Sequence, residues 1–541
     1  MKSIRFTPLQ MGMFALTALA GIAAASGLID FHTLIPGMLL ANAPFAVTQE
    51  TLDLAKGALA KSDDNITKSV TTGTGLVAYD LQAPAKNLYP VNTPLRNRIP
   101  RVGGGTGLAT NWRAVKAILG SGFDAMGWVP EGQRTARMSY TATTVSASYV
   151  TIGEEDQVTY EAISAARTFE DIRSTASMRV LQKMMLKEEN AILMGNASVN
   201  LGTPVTPTVS AAGSGATLPA ATYSVIVVAL TGEGFRGASV AAGIPTVQTF
   251  TGADGQTYTL NGGSSNKSSA ASQVVTLGQT LSCSTTAING AMGYAWFTGV
   301  SGSERLEKIT TINSATFSAP LLGTGQLASA ITAADKSSNP SLAFDGLLYS
   351  AFKPGSGAYM NTLATGTPGV GTVLTASSRG TVNEIDQMLR TMWDQYQVSP
   401  TVIYVNAQEL NNITTKTLQG PSSSPLLQIF TDPKSGYQGM MAGGVVGFYF
   451  NPFAMDGGIK IPIMIHPALP AGTIIGWCED LPSMYKSNNV PNVAEMKTRQ
   501  DYYQIDWPLR TRAQEFGVYA EEVLAVYAPF AMGVINNIAN G

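Results

Sequence analysis

Hydrophobic and polar positions fall into a helical period most clearly between Thr168 and Gly195, TFEDIRSTASMRVLQKMMLKEENAILMG. Phe169, Ile172, Ala176, Val180 and Met184 recur at three- and four-residue spacing and so share one face. Arg173, Arg179, Lys183 and Lys187 lie off that stripe. Thr168, with Asp171 three residues on, reads as a capping-box-like start, and Gly195 as a left-handed stop. At 1.5 Å per residue the predicted rod spans roughly 40 Å.

Upstream the period changes. Between Asn111 and Glu161, Trp112–Ile118 and Tyr140–Val145 alternate, with Gly120, Gly122, Gly127, Pro130 and Gly132 between them. This pattern predicts a long β-hairpin with a glycine-rich tip. Residues 30 to about 105 are punctuated by Pro84, Pro90, Pro94 and Pro100 and closed by Gly103-Gly104-Gly105-Thr106-Gly107. Prolines at that density oppose both helix and central strand, so an extended arm is expected, interrupted by one helix near Thr48–Lys61. Neither arm nor hairpin carries enough apolar residues for a core of its own.

Downstream of Asn196 charges become rare and Ser, Thr, Gly and Ala dominate. The β-rich runs Tyr223–Leu230, Gln273–Leu277, Tyr294–Phe297 and Lys308–Ile312 predict an antiparallel sandwich of immunoglobulin or fibronectin type III kind. After Asn339 the pattern is mixed again. Thr381–Gln397 reads as a helix with Val382, Ile385, Met388, Leu389, Met392, Trp393 and Tyr396 on its apolar side, ending at Ser399-Pro400. Thr401–Val405 reads as a buried strand, Ala407–Leu418 as a further helix, and residues 445–541 as mainly β, including Gly447–Phe450, Thr473–Trp477 and Tyr519–Val526. The organisation expected is an α+β body interrupted by a sandwich inserted just after the long helix, as a separable decoration.

Composition narrows the functional classes. Of 541 residues only 13% are charged and 45% are hydrophobic, while glycine alone contributes 55. A surface so poor in charge suits a chain that buries much of itself against copies of itself, and it suits secreted β-proteins as well. The net charge of −2 argues against a partner held by bulk electrostatics, nucleic acid above all. Cys283 and Cys478 fall in different predicted domains, which argues against a disulfide framework and a cysteine metal site, and His32 and His466 are the only histidines, both read as structural. Lys2 and Arg5 precede an apolar run, Met11–Ala25, that resembles a secretory signal peptide; the favoured reading is an apolar helix packed on a neighbouring subunit.

A search for chemistry finds no G-x-S-x-G nucleophile motif and no phosphate-binding loop of the G-x-x-x-x-G-K type. Gly366-Thr367-Pro368-Gly369-Val370-Gly371 reads as a plain loop. Acidic clusters occur at Glu154-Glu155-Asp156, Glu188-Glu189 and Glu521-Glu522. Glu188-Glu189 sits near the C-terminal end of the long helix, where its charge opposes the helix dipole, so a cation from Lys187 or a partner subunit is expected beside it. The basic stretch Arg96-Asn97-Arg98-Ile99-Pro100-Arg101 is expected at a subunit contact rather than on DNA, because no aromatics interleave it for base stacking. Asn65-Ile66-Thr67 and Asn412-Ile413-Thr414 match the glycosylation pattern at chance frequency. No catalytic, cofactor-binding or metal-ligating residue is assigned, and no cofactor.

The order of these parts resembles the major capsid proteins of tailed bacteriophages and the related encapsulins. Pro94–Arg101 looks like the end of the family's arm, Trp128-Val129-Pro130-Glu131-Gly132 like its hairpin tip, and Glu188–Asn196 like the end of its "spine" helix. Phe344-Asp345-Gly346-Leu347-Leu348 looks like the segment that normally follows soon after, and Thr381–Leu418 like the central helix–strand–helix of the axial domain. The departure is the stretch of roughly 150 residues between Asn196 and Phe344. The resemblance covers about residues 45–196 and 340–541.

The resemblance implies a capsid fold divided into an N-terminal apolar segment and arm (1–110), an extended hairpin (111–160), a spine helix (161–196), an inserted immunoglobulin-like sandwich (197–339), an axial domain (340–480) and a C-terminal β-rich segment (481–541). It implies a non-enzymatic subunit that forms the hexamers and pentamers of an icosahedral shell, assembled in the host cytoplasm and carried in the virion. Scaffolding, portal and decoration proteins are the implied partners, DNA is contacted only non-specifically, and no membrane is involved. Some relatives crosslink neighbouring subunits through a hairpin lysine; Lys116 lies in the right region here, without matching partners. Two other classes stand beside this one. A secreted or surface-layer protein would be cleaved near Ser26 but leaves the helix, arm and hairpin without a role. An α/β enzyme is weakened by the empty motif search.

Overall fold

The computed structural model describes residues 90–119, 128–134, 137–167, 171–252, 255–377, 380–418, 429–431, 438–440, 446–454, 458–482 and 492–539. The apolar N-terminal segment with its two readings, His32, most of the arm, the helix near Thr48–Lys61, residues 120–127 of the hairpin tip, and Thr168 with Phe169 lie outside the described residues.

From the arm the chain runs through β1 (Arg101–Val102), β2 (Ala109–Leu119), β3 (Ser139–Ser148), β4 (Val150–Thr159), α1 (Tyr160–Ala166) and α2 (Ile172–Met194). Then come β5 (Thr208–Ala212), β6 (Ala221–Leu230), α3 (Gly232–Gly237), β7 (Val247–Thr251), β8 (Thr257–Asn261), β9 (Ala271–Val275), β10 (Thr280–Ser284), β11 (Gly293–Gly299), β12 (Arg305–Thr310) and β13 (Ser314–Phe317). The chain continues through α4 (Leu347–Phe352), β14 (Tyr359–Thr362), α5 (Asn383–Tyr396), β15 (Val402–Val405), α6 (Ala407–Leu418), β16 (Ile429–Thr431), β17 (Gln438–Met440), β18 (Phe448–Asn451) and β19 (Ile459–Ile465). It closes with β20 (Ile474–Trp477), β21 (Ala494–Asp506), β22 (Ala513–Val526) and β23 (Met532–Asn536). The fold is α+β.

The long helix is present as α2. Its stripe of Ala176, Val180 and Met184 is buried against Phe516, Val518 and Ala520 of β22 and Val158 of β4, in a sheet of order β1-β21-β22-β4. The period-3.6 stripe of the helix thus meets the period-2 face of a strand, as the two patterns require. Both helix ends differ from expectation. Asp171 itself is the N-cap, its carboxylate accepting from Ser174 N at 3.3 Å. Gly195 caps the other end with φ −52°, outside the left-handed region. What demands glycine there is space: a Cβ would lie 2.6 Å from the Phe344 carbonyl oxygen and 2.7 Å from that of Ala191.

A second, mixed sheet has the order β14-β23-β20-β15-β19-β18. Its central strand β15 is buried throughout, as its unbroken apolar run predicts. Helix α5 packs on the sheet at β14 and β23, burying Ile385, Met388, Leu389 and Met392. Gly476 of β20 and Gly533 of β23 make room for Met388, whose sulfur would come within 2.6 Å of a Cβ at Gly533. Helix α5 stops at Tyr396, earlier than the Ser399-Pro400 boundary, because Gln397 turns left-handed with φ 53°.

The inserted segment folds as two antiparallel sheets, β13-β10-β5 and β12-β11-β6-β9. Between them lie Trp296, Val225, Val227, Leu281 and Cys283, with Cys283 a free thiol. Numbered within the insert, and leaving aside the separate β7–β8 ribbon, the sheets read 7-4-1 and 6-5-2-3. The first strand pairs with the fourth, whereas in constant-type immunoglobulin order it pairs with the second.

Candidate functional site

Two features stand out as places where this fold does something beyond closing a core. The first is the junction of arm and long helix. Residues 93–99 form one tight turn, with Asn97 N donating to Thr93 O and Ile99 N to Leu95 O, and they drive Leu95 and Ile99 into the main core. The start of that turn offers free backbone N–H groups. Glu189 takes them: its two oxygens accept from Leu95 N at 2.9 Å and Arg96 N at 2.8 Å. His466 Nε2 lies 2.6 Å from Glu189 Oε1, and His466 Nδ1 accepts from Ala468 N. With Nδ1 an acceptor, the proton sits on Nε2 and is donated to the carboxylate.

Glu188, one residue back, turns to the side of α2 that carries the buried stripe. It is fully buried and accepts from Arg96 Nε at 2.8 Å, from Arg101 Nη1 and from the Tyr502 hydroxyl. Arg101 also reaches Glu522 Oε2 at 2.9 Å and Asp501 Oδ1 at 2.6 Å. Both guanidinium groups lie over the Tyr502 ring, at 5.2 and 4.9 Å from its centre. Burial pushes the Glu188 carboxyl up against the pull of Arg101 and Arg96. Glu522 is pushed up to about 7 by burial and by the Glu188 charge, with Arg101 opposing. Acid outnumbers base in this cluster, so the arginines do not fully offset burial and both Glu188 and Glu522 stand above the ordinary carboxylate value.

The sequence therefore located a helix-end carboxylate pair correctly but assigned it the wrong counterion. Lys187 pairs with Glu154 instead, and the cations come from the basic stretch of the same chain. Within the chain that stretch is already engaged: Arg96 and Arg101 are half-buried against Glu188, and Arg98, still exposed, binds Glu479 at 2.7 Å. Alternating charge signs 90 residues apart gave no local cue. Of the other acidic clusters, Glu155 accepts from the Tyr519 hydroxyl and Glu521 pairs with Arg499. Helix α6 buries Glu409, which accepts from Gly472 N at 2.9 Å. Among the described residues no three His, Cys, Asp or Glu side chains are grouped to hold a metal.

The second feature is the ribbon β2–β3. Ten residue pairs hold its strands together, and no residue of β3 is buried. At about 3.4 Å per residue β2 alone is roughly 35 Å long. Beyond their mutual pairing the strands' main contact is with β22. At the ribbon's foot, Trp112 meets Tyr527 edge-on, ring centres 5.2 Å apart. Trp128, at the described part of the tip, is 80% exposed. The register shifts between Val115 and Ala117, leaving Lys116 as the extra residue of a bulge.

The insert's mounting is itself hydrogen-bonded. Asn196 Nδ2 donates to Val199 O and Ser337 O, tying the two linkers together, while Asp345 accepts from Ala197 N and Ser198 N. Val199 and Met292 belong to the main core rather than to the sandwich. Tyr349 of α4, fully buried, accepts from Gly232 N and donates to Gly290 O, both in the insert. Buried Asn313 and Asn537 bond to each other through Nδ2 of Asn537 and, separately, through Asn313 N. The sandwich is thus bonded to the body at several points.

No family model and no curated protein matches this chain. Among solved structures it is similar to the capsid of a native GTA particle, at 8% identity and a TM-score of 0.39, over 88% of this chain and 100% of that one. It is similar also to the holo-SrpI encapsulin complex of Synechococcus elongatus PCC 7942, at 9% identity and a TM-score of 0.36, over 88% of this chain and 97% of that one. The capsid of Myoviridae phage XM1 shows 8% identity and a TM-score of 0.37, over 87% of this chain and 100% of that one.

Proposed function

We propose that this chain is a non-enzymatic structural subunit that assembles in many copies into the icosahedral shell of a tailed bacteriophage. The ribbon β2–β3 carries the reading. A two-stranded hairpin is marginal in water unless a further surface covers it, and in this one no residue of β3 is buried. Such a ribbon has a purpose when identical neighbours supply the covering surface, once per subunit around a closed shell. The clamp at Glu188 and Glu189 supports the same reading: it fixes residues 95–101 on the body, so that less ordering entropy at that segment opposes assembly. The order of parts in the sequence adds the phage resemblance.

In this reading hexamers and pentamers build the shell, scaffolding, portal and decoration proteins complete it, and DNA touches it without specific contacts. The sandwich faces outward, as a fixed buttress. Assembly takes place in the host cytoplasm. Negative-stain microscopy of the full chain, expressed alone and with co-expressed phage proteins, is expected to show uniform shells. Monomers under every condition would overturn the proposal.

A further inference from the structure

Beside the weld between sandwich and body lie two adjoining hollows, of about 440 and 600 Å³, which share Phe235, Lys308 and Ile309. The larger is walled by β12 on one side and by Val370, Val373 and Ala471 of the body on the other. Val370 is 60% and Val373 40% exposed, so apolar surface stands open to water there. Strand β12 is also the outer strand of its sheet. Arg236, Lys308 and Glu307 line the smaller hollow, and Lys308 the larger one as well, which leaves a surplus of one positive charge. Arg236 also donates to Asn190 Oδ1 and Lys308 to Thr316 O at 3.4 Å, while Glu307 accepts from Leu322 N at 2.6 Å and Gly323 N at 2.8 Å.

The same chain carries a complementary shape. At the described tip of the ribbon, Trp128 and Val129 are exposed, Pro130 follows, and Gln133 N closes a turn onto Pro130 O. Glu131 follows Pro130 directly in that turn. An exposed indole is a typical anchor for a contact between proteins, and a carboxylate three residues on suits a rim with a surplus of positive charge. Tip and hollow are different patches of one chain, so their union is heterologous and propagates from copy to copy into a ring or shell.

We propose that the hollow between β12 and the 369–373 loop receives Trp128 of a second copy, with Glu131 of that copy against Lys308 and Arg236. This rests on the shell reading above and gives the ribbon a stated destination. It also gives the insert a part in assembly, because the hollow exists only where sandwich and body meet.

The test uses the full chain. Both native cysteines are buried, so new thiols can be read without interference. The double variant V129C/V370C, oxidised after assembly, is expected to give a ladder of linked subunits on non-reducing denaturing gels, and each single variant monomer only. Trp128→Ala and Lys308→Glu should each raise the concentration needed for assembly at least about tenfold, and E131K/K308E should restore it to within about threefold. Trp128 and Glu131 are exposed, so folding is not at stake, and circular dichroism of each variant verifies that. If wild-type shells form but no ladder appears and Trp128→Ala assembles normally, the docking is wrong while the shell stands. An intrachain link, read as a monomer of altered mobility, also overturns it. If the wild type forms no shell, both proposals fall together.

Discussion

Glu189 and His466 meet at 2.6 Å in a site closed to water, and the same carboxylate holds the first turn of the arm by two backbone N–H groups. One side chain at the end of α2 thus joins three segments far apart in sequence. Removing a buried hydrogen-bonded charge leaves its partners unpaired, which costs about 3–5 kcal/mol. Glu189→Ala is therefore expected to lower the thermal midpoint by many degrees and to expose the chain near residues 90–102 to protease. Limited proteolysis with mass analysis reads this directly. A midpoint unchanged within a degree would mean that the arm's turn is held by Leu95 and Ile99 alone.

The neighbouring cluster sets a pH dependence of unusual sign. Glu522 is pushed up to about 7 by burial and by Glu188, above the ordinary carboxylate value of 4.5. A raised carboxyl favours folding when protonated. Its contribution is complete below about pH 4.5 and is lost as the pH climbs through about 7. The clamp should then weaken between about pH 4.5 and 7, by a few kcal/mol at most. Glu522→Gln keeps a neutral group beside Arg101 and should flatten that slope. Thermal midpoints of both proteins across this range decide the matter; parallel curves would show that Glu522 is not the group responsible.

The sandwich and body should unfold together. Deleting residues 200–337 removes Met292 from the main core, bares Tyr349 and strips Asn537 of its partner Asn313. Each buried polar group left unpaired costs about 1–3 kcal/mol, on a net stability of about 5–15 kcal/mol. The deletion is expected to yield insoluble or loosely packed protein. Tyr349→Phe, which loses only the two hydrogen bonds to Gly232 and Gly290, should shift the midpoint of the whole chain rather than that of one part. Scanning calorimetry showing two separated transitions, only one of them moved by Tyr349→Phe, would contradict this.

How far the sequence carried these conclusions differs by link. The period of α2, the alternation of β2 and β3, the apolar side of α5 and the buried run of β15 are local patterns, and each reappears with small shifts at its ends. The sandwich was legible as strands and turns but not in its strand order, because order depends on which edges meet, and that is not a local property. The candidate site was half legible. Glu188-Glu189 drew notice because its charge opposes the helix dipole, yet its partners Arg96 and Arg101 stand about 90 residues away. Nothing in the spacing distinguishes arginines that fold inward from arginines that wait for a neighbour. His466 read as structural from scarcity alone, and its bond to Glu189 fits that reading.

Gly195 offers the sharpest test of the weld itself. Its amide donates to Ala191 O at 2.9 Å and its carbonyl accepts from Gly346 N at 2.8 Å, so the chain entering the insert and the chain leaving it cross in contact. A Cβ at Gly195 would stand 2.6 Å from Phe344 O, and one at Gly346 would stand 2.7 Å from the carbonyl oxygens of Ala191 and Ile192. These obstacles are backbone atoms, which cannot rotate aside as a side chain would. Gly195→Ala must push the two strands apart, at a cost of about 1–3 kcal/mol. Were the glycine kept for a left-handed turn, Gly195→Asn would be tolerated far better than Gly195→Ala. With φ at −52° it is not, and the larger side chain is expected to be the worse of the two. Chemical denaturation midpoints of Gly195→Ala and Gly195→Asn, ranked against wild type, separate the two accounts.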